Sequence, residues 1–172
     1  SLLSFRNGVL NLDNGALLPH DSRYNTYYVV QANYVATEYH PAFDSFLETI
    51  TGGDGTLRQR ILEVVGYCIV PDMAAKSFFV FQGVPDSGKS VLAAFIRDCL
   101  NPEATVALDI LTLGDRFAAS SLIGKQLWTS MDIPAAPLNS RGISTFKMVT
   151  GGDPITADVK YKSAVTFLNG AK

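Results

Sequence analysis

The sequence predicts an α/β fold, a parallel sheet flanked by helices, with a small α+β attachment on its N-terminal side. Three observations predict it. A strand-like apolar run, Ser77-Phe78-Phe79-Val80-Phe81-Gln82, leads straight into a glycine-rich loop and then into a segment of helical period. A second strand-like run, Gln126 to Pro134, carries an acid near its end at Asp132. The residues before the first run alternate and turn like a hairpin followed by two helices.

In chain order, Gly8-Val9-Leu10-Asn11-Leu12 alternates, Asp13-Asn14-Gly15 is a turn signal, and Ala16-Leu17-Leu18-Pro19 returns. Tyr27–Val30 and Ala32–Val35 read as further strands. Pro41 opens a helix with Phe43, Phe46, Leu47 and Ile50 on one face, ended by Thr51-Gly52-Gly53. A second helix runs from about Leu57 to Val70 and is broken by Pro71-Asp72. Residues 1–70 form the expected attachment and residues 71–172 the expected core.

Gly83-Val84-Pro85-Asp86-Ser87-Gly88-Lys89-Ser90 reads G-x-x-x-x-G-K-S, the phosphate-binding P-loop pattern. A nucleoside triphosphate concentrates negative charge, and backbone N–H groups at a helix N-terminus can surround it. Gly83 and Gly88 permit the tight turn and the close backbone approach. Lys89 is expected to reach the β and γ phosphates, and the Ser90 hydroxyl to hold Mg²⁺. The candidate nucleotide-binding residues are thus Gly83, Val84, Pro85, Asp86, Ser87, Gly88, Lys89, Ser90 and Val91, with ATP and Mg²⁺ as cofactors. The helix that follows, Val91 to Leu100, stops at Asn101-Pro102.

After a short strand at Thr105–Ala107, Asp109 to Leu122 reads as a helix interrupted by Gly114. P-loop NTPases place a carboxylate at the end of a second parallel strand to hold the metal shell, and Asp132 fits that position. It also fits an ordinary strand-end acid capping a turn before Pro134. Ile143 to Val149 is a short helix, and Ile155 to Phe167 suggests two strands around a Lys160-Tyr161-Lys162 tip. Two amines beside an aromatic ring suit a sugar–phosphate backbone and a stacked base; lysines guarding a sheet edge would look the same.

The 172-residue chain is 47% hydrophobic, which excludes a disordered protein. No apolar stretch is long enough to span a bilayer, and no signal peptide is visible. Cys68 and Cys99 read as buried thiols of a reducing compartment, and His20 and His40 as solvated loop positions. The net charge of -2 does not suggest a free-standing nucleic-acid binder. From residue 141 onward, however, Arg141, Lys147, Lys160, Lys162 and Lys172 outnumber Asp153 and Asp158. Such a basic element suits either contact with a phosphate backbone or a solvated face.

Several motifs in order carry a resemblance: FRNGVLNLDNGALLPH, EVVGYCIVPDMAAKSFFVFQGVPDSGKS, LTLGDRFAASSLIGKQLWTSMDIP and KMVTGGDPITADVKYKSAVTF. Residues 5–172 resemble the helicase portion of phage and plasmid primase–helicases, a branch of the superfamily III helicases. The resemblance implies an ATP-driven motor with an AAA+-like core, acting as a ring of usually six subunits on single-stranded or forked DNA in the cytoplasm of a bacterial host. It makes Lys89 and Asp132 catalytic, Ser90 and Asp132 metal-holding, and Lys160, Tyr161 and Lys162 the DNA-tracking hairpin. Relatives often carry two adjacent acids where this chain has Met131-Asp132; either Asp132 serves both roles or a carboxylate elsewhere helps, and slow hydrolysis is the expectation. They also carry a polar sensor residue, commonly Asn, and then an arginine finger. Asn169 either is that sensor or precedes its strand. The chain is therefore expected to be a fragment, or to press its final residues into the sensor strand's place. Two alternatives are a non-catalytic P-loop scaffold and a small-molecule kinase. The kinase would need an arginine-rich lid, yet only Arg116 and Arg141 lie between Asp98 and Lys172.

Overall fold

The structure, a computed structural model, describes residues 1–37, 39–71, 73, 75–133 and 135–172. Its fold is mixed α/β, and the chain divides into two compact units. One comprises Ser1–Val70 with Val80–Asn101, the other Pro71–Phe79 with Pro102–Lys172.

The first unit opens on four short strands: β1 (Leu2–Phe5), β2 (Gly8–Asn11), β3 (Leu17–Leu18) and β4 (Val29–Val30), in the order β3-β2-β1-β4. β2 and β3 form the antiparallel hairpin that the Asp13-Asn14-Gly15 turn predicts. β1 pairs antiparallel with β2 and parallel with β4; Leu3, Val9, Leu10 and Val30 are all buried, Leu3 and Leu10 on one face and Val9, opposite Ser4, on the other. Helix α1 (Pro41–Thr51) begins on its proline and ends at Gly52, whose left-handed backbone (φ 59°) lets its N–H reach Glu48. Helix α2 (Gly55–Ile69) starts on Asp54, whose carboxylate accepts from the Thr56 and Leu57 amides. Helix α3 (Lys89–Asp98) buries Leu92 and Ile96. Its Phe95 stacks on Phe43 of α1 at 4.8 Å. The Gln31 N–H just past β4 donates to Cys99 C=O at 2.9 Å, tying the sheet to the end of α3.

The second unit holds a parallel pair, β5 (Thr105–Ala107) and β6 (Leu127–Thr129), helix α4 (Ser140–Gly151), and an antiparallel hairpin of β7 (Pro154–Ala157) and β8 (Val165–Leu168). Leu113, Leu122, Val149, Ile155 and Ala171 form its core, with Trp128 and Phe146 packed against them. The chain end joins β6: Lys172 N–H donates to Gln126 C=O at 3.1 Å, and Trp128 N–H donates to Lys172 C=O at 2.9 Å. That alternation is a parallel strand pairing.

Several predicted elements need correction. Ser77–Gln82 is not a buried strand: it joins no sheet, and Phe78 and Val80 are 54% and 65% exposed. Aromatic and β-branched content signals a half-buried surface, but a strand exists only where a partner supplies the ladder. The Phe78 ring instead packs edge-on against Phe146 at 4.8 Å. The parallel sheet is correspondingly small, the β5–β6 pair with the chain end beside it. Of the strands at Tyr27–Val30 and Ala32–Val35, only Val29–Val30 forms. The Asn7 side chain takes the place of a ladder at Tyr34, accepting its N–H at 2.8 Å and donating to its C=O at 2.9 Å. The helix read over Asp109–Leu122 is two separate 3-10 turns, Ile110–Gly114 and Ala118–Leu122. Cys68 is buried as read, whereas Cys99 is only partly so. The breaker residue Asp72 and the predicted strand end at Pro134 lie outside the described residues.

Candidate nucleotide loop and basic hairpin

The Gly83–Ser90 loop lies within the first unit and runs directly into α3. Gly88 is the residue before the helix, in the left-handed region at φ 84°, and no side chain caps the first-turn amides. Asp86 is left-handed too, at φ 58°. Left-handed residues alternating with right-handed ones curl successive N–H groups toward one side, the geometry of an anion nest. A Cβ at Gly88 would lie 2.6 Å from Ile50 Cγ2 of α1, inside van der Waals contact. The second glycine is therefore fixed by both backbone and packing, and α1 is the wall the loop rests on.

Lys89 folds back over this loop. Its Nζ donates to Gly83 C=O at 3.0 Å, Val84 C=O at 2.7 Å and Ser87 Oγ at 3.1 Å. The ammonium thus sits in the mouth of the loop, held by neutral acceptors. Ser90 and Val91, in the first turn of α3, are exposed. At the other end of the helix, burial pushes the Cys99 thiol pKa up, with a smaller contribution from the Asp98 charge. That thiol stays protonated at neutral pH and serves packing rather than chemistry.

The remaining predicted site residues belong to the second unit. Asp132 is exposed and left-handed (φ 51°), beyond the end of β6 at Thr129. Ser130, between them, accepts the Ile110 amide at 3.0 Å and anchors the β6 exit. Lys160, Tyr161 and Lys162 lie together in the connection between β7 and β8 and are all exposed. Tyr161 is 101% exposed and left-handed (φ 60°), an unfavourable backbone state for a bulky residue. Lys160 Nζ lies 5.9 Å from the centre of the Phe117 ring. Asn169 is buried: its Nδ2 donates to Val149 C=O and Ala171 C=O, and its Oδ1 accepts from Ala171 N–H. It fastens the chain end to α4.

The structure brings the loop residues into one constellation and the hairpin residues into another. It adds supports that sequence reasoning missed. Ile50 and Phe46 back Gly88, but their helical spacing marked only a buried face. Arg116 is fixed by Asp158 at 3.1 Å, a pairing across 42 positions that no local pattern reveals.

Fold and site together define a mixed α/β protein whose glycine-rich loop opens a helix and whose second unit projects a basic hairpin. Residues 81–172 match the family described as "Family of unknown function (DUF5906)", and the chain belongs to that family. Residues 1–52 match "D5 N terminal like". Over 177 residues the chain is 29% identical to a protein of Acanthamoeba polyphaga mimivirus named "Putative helicase L207/L206". The match covers 96% of this chain and 18% of that relative, so the chain spans less than a fifth of its length. No helix among the described residues is long and apolar enough to cross a membrane.

Proposed function

We propose that this chain is the ATP-binding and ATP-hydrolysing motor module of a viral or phage-type replicative helicase–primase, coupling ATP turnover to movement along single-stranded DNA and opening of the duplex. One observation carries the reading. The loop that spells G-x-x-x-x-G-K-S curls at the start of α3 with Gly88 left-handed and Lys89 Nζ gathered at its mouth. The helicase relative and the N-terminal match point the same way.

The residues fit a polyphosphate. Lys89 is held by two carbonyls and a hydroxyl, and exchanging these neutral acceptors for phosphate oxygens adds attraction between opposite charges to hydrogen bonds that now have only one charged partner. The α3 N-terminus contributes amides and the positive end of the helix dipole. Ser90, in the first turn of α3, would hold Mg²⁺, and Mg-ATP would supply the transferable phosphoryl group. Lys160, Tyr161 and Lys162 would grip the strand, two amines on phosphates and the ring on a base. In a ring of copies these hairpins would sum to a strong field despite the net negative chain.

Differential scanning fluorimetry with Mg-ATP tests the reading. At about 100 times the dissociation constant, binding adds about 2.7 kcal/mol of stability. The wild type should show that gain and Lys89→Ala should lose it. ATP turnover by the wild type should rise when single-stranded DNA is added. A wild type that gains nothing from Mg-ATP would return the chain to the scaffold reading.

A further inference from the structure

A cavity of about 150 Å³ opens in the second unit between α4, the 3-10 turns and β7. Its rim carries two guanidiniums, Arg116 and Arg141, with hydroxyls from Ser144 and Thr156. None of these residues belongs to the nucleotide loop or to the hairpin tip. We propose that this cavity seats one phosphodiester group of a single-stranded nucleic acid, gripped by Arg116 and Arg141, next to the hairpin that holds the neighbouring nucleotides. The proposal rests on the DNA-gripping reading of that hairpin and adds a second contact to it.

The rim is built, not merely charged. Arg116 is positioned from two sides: its Nε donates to Asp158 Oδ2 at 3.1 Å, and its guanidinium carbon lies 5.3 Å from the centre of the Phe117 ring. That ion pair uses the Nε–H alone, so the guanidinium keeps further donors for an anion. Arg141 makes no ion pair among the described residues, and it lies in the first turn of α4, where the helix dipole favours an anion. Two forked cations with flanking hydroxyls match the donor geometry that phosphate oxygens accept.

The charge balance selects the kind of phosphate. Asp158 already offsets Arg116, and Asp115 also lines the cavity. The site therefore has little surplus positive charge to offer a free nucleotide bearing several negative charges. A phosphodiester carries one, and a strand held by neighbouring contacts presents it at high effective concentration. β7, which walls the cavity, continues into the connection bearing Lys160, Tyr161 and Lys162. A strand on the hairpin would thus pass the rim.

The experiment measures binding of fluorescein-labelled oligo-dT by anisotropy across a salt series. It compares the wild type, Arg141→Ala, Ser144→Glu, and Lys160→Ala with Lys162→Ala, all checked for folding by circular dichroism. Each lost phosphate contact on a single strand removes about 0.7 from the slope of log K against log salt. Arg141→Ala should weaken binding several-fold and flatten the slope by about that amount. Ser144→Glu, which sets a carboxylate on the rim without deleting a cation, should weaken binding as well. If both leave binding unchanged while the hairpin double variant weakens it, the cavity proposal falls and the hairpin reading stands. If Arg141→Ala weakens binding and the hairpin variant does not, the cavity stands and the hairpin reading falls. A parallel titration with fluorescent ATP separates the phosphate sources: loss of ATP affinity in Arg141→Ala with DNA affinity intact overturns the proposal.

Discussion

Asn139 occupies the space that a side chain at Gly114 would need. Its Oδ1 accepts the Gly142 amide at 2.7 Å and so caps α4, and the same group packs against the Gly114 backbone. A Cβ at Gly114 would run into the Asn139 amide and would lie 2.9 Å from the Gly142 nitrogen. Gly114→Ala should therefore displace the cap as well as overpack the contact. Overpacking costs about 1–3 kcal/mol and a lost Asn cap about 1 kcal/mol. Urea unfolding should show a destabilisation in that range, larger than that of Asn139→Ala alone. An unchanged midpoint would mean that α4 does not depend on this contact.

Gly88 poses a similar question at the nucleotide loop, with two separable penalties. The left-handed backbone costs a non-glycine residue about 1–2 kcal/mol, and the Cβ would strike Ile50 Cγ2 at 2.6 Å. Gly88→Ala should destabilise the chain and abolish the gain from Mg-ATP. Adding Ile50→Ala should recover the steric part when compared with Ile50→Ala alone, but not the backbone part. A double-mutant cycle reads this directly. Full additivity would show that the loop does not rest on α1.

How much of this was readable from the chain depends on how local each signal is. The β2–β3 hairpin was legible because Asp13-Asn14-Gly15 is self-contained, and α1, α2 and α3 because caps and breakers flank periodic apolar residues. The left-handed Gly88 and the helix opening straight after it follow from consecutive residues. Leu2–Phe5 was missed, since its strand exists only through pairing with β2 and β4. Ser77–Gln82 failed for the converse reason: strand composition without a ladder. The two 3-10 turns between β5 and β6 look like one interrupted helix in the sequence, because their apolar residues are spaced helically, while Asp109 and Phe117 start two separate turns. Arg141 stands out in the sequence only as one cation of a basic stretch and Arg116 only as an isolated arginine; that they share one rim depends on α4 and the 3-10 turns.

The Asp44–Arg58 ion pair links α1 to α2 and gives the fold an acid-sensitive clasp. The Arg58 hydrogen bond, helped by the His40 amide at 3.1 Å, holds the Asp44 carboxyl below its ordinary value of 3.8. With the folded pKa depressed, the unfolded chain binds a proton first as the pH falls. The contribution is complete above the ordinary value and is lost as the pH drops through it toward the folded one. Melting temperatures of wild type and Asp44→Asn should differ at neutral pH and begin to converge only as the pH falls below about 4, meeting below the depressed folded pKa. A gap that persists unchanged in acid would assign the effect to something other than this carboxylate.

Tyr161 sets stability against binding at the tip of the hairpin. Its ring is fully exposed, so burial gives nothing back for its left-handed backbone. Strained residues of this kind persist where function holds them. Tyr161→Ala removes the ring and keeps the strain; Tyr161→Gly removes both. The glycine variant should be more stable than the alanine variant by up to about 1 kcal/mol, because the left-handed penalty of about 1–2 kcal/mol is relieved while glycine loses more chain entropy. Both should bind single-stranded DNA more weakly, since stacking on an aromatic ring is worth about 1–3 kcal/mol per base. Both should also leave the salt dependence as it was, because no cation has been removed. That last readout separates the ring from its neighbours: Lys160→Ala and Lys162→Ala should flatten the salt slope, and a slope that also flattened in Tyr161→Ala would mean the tyrosine acts by placing the lysines instead of by stacking.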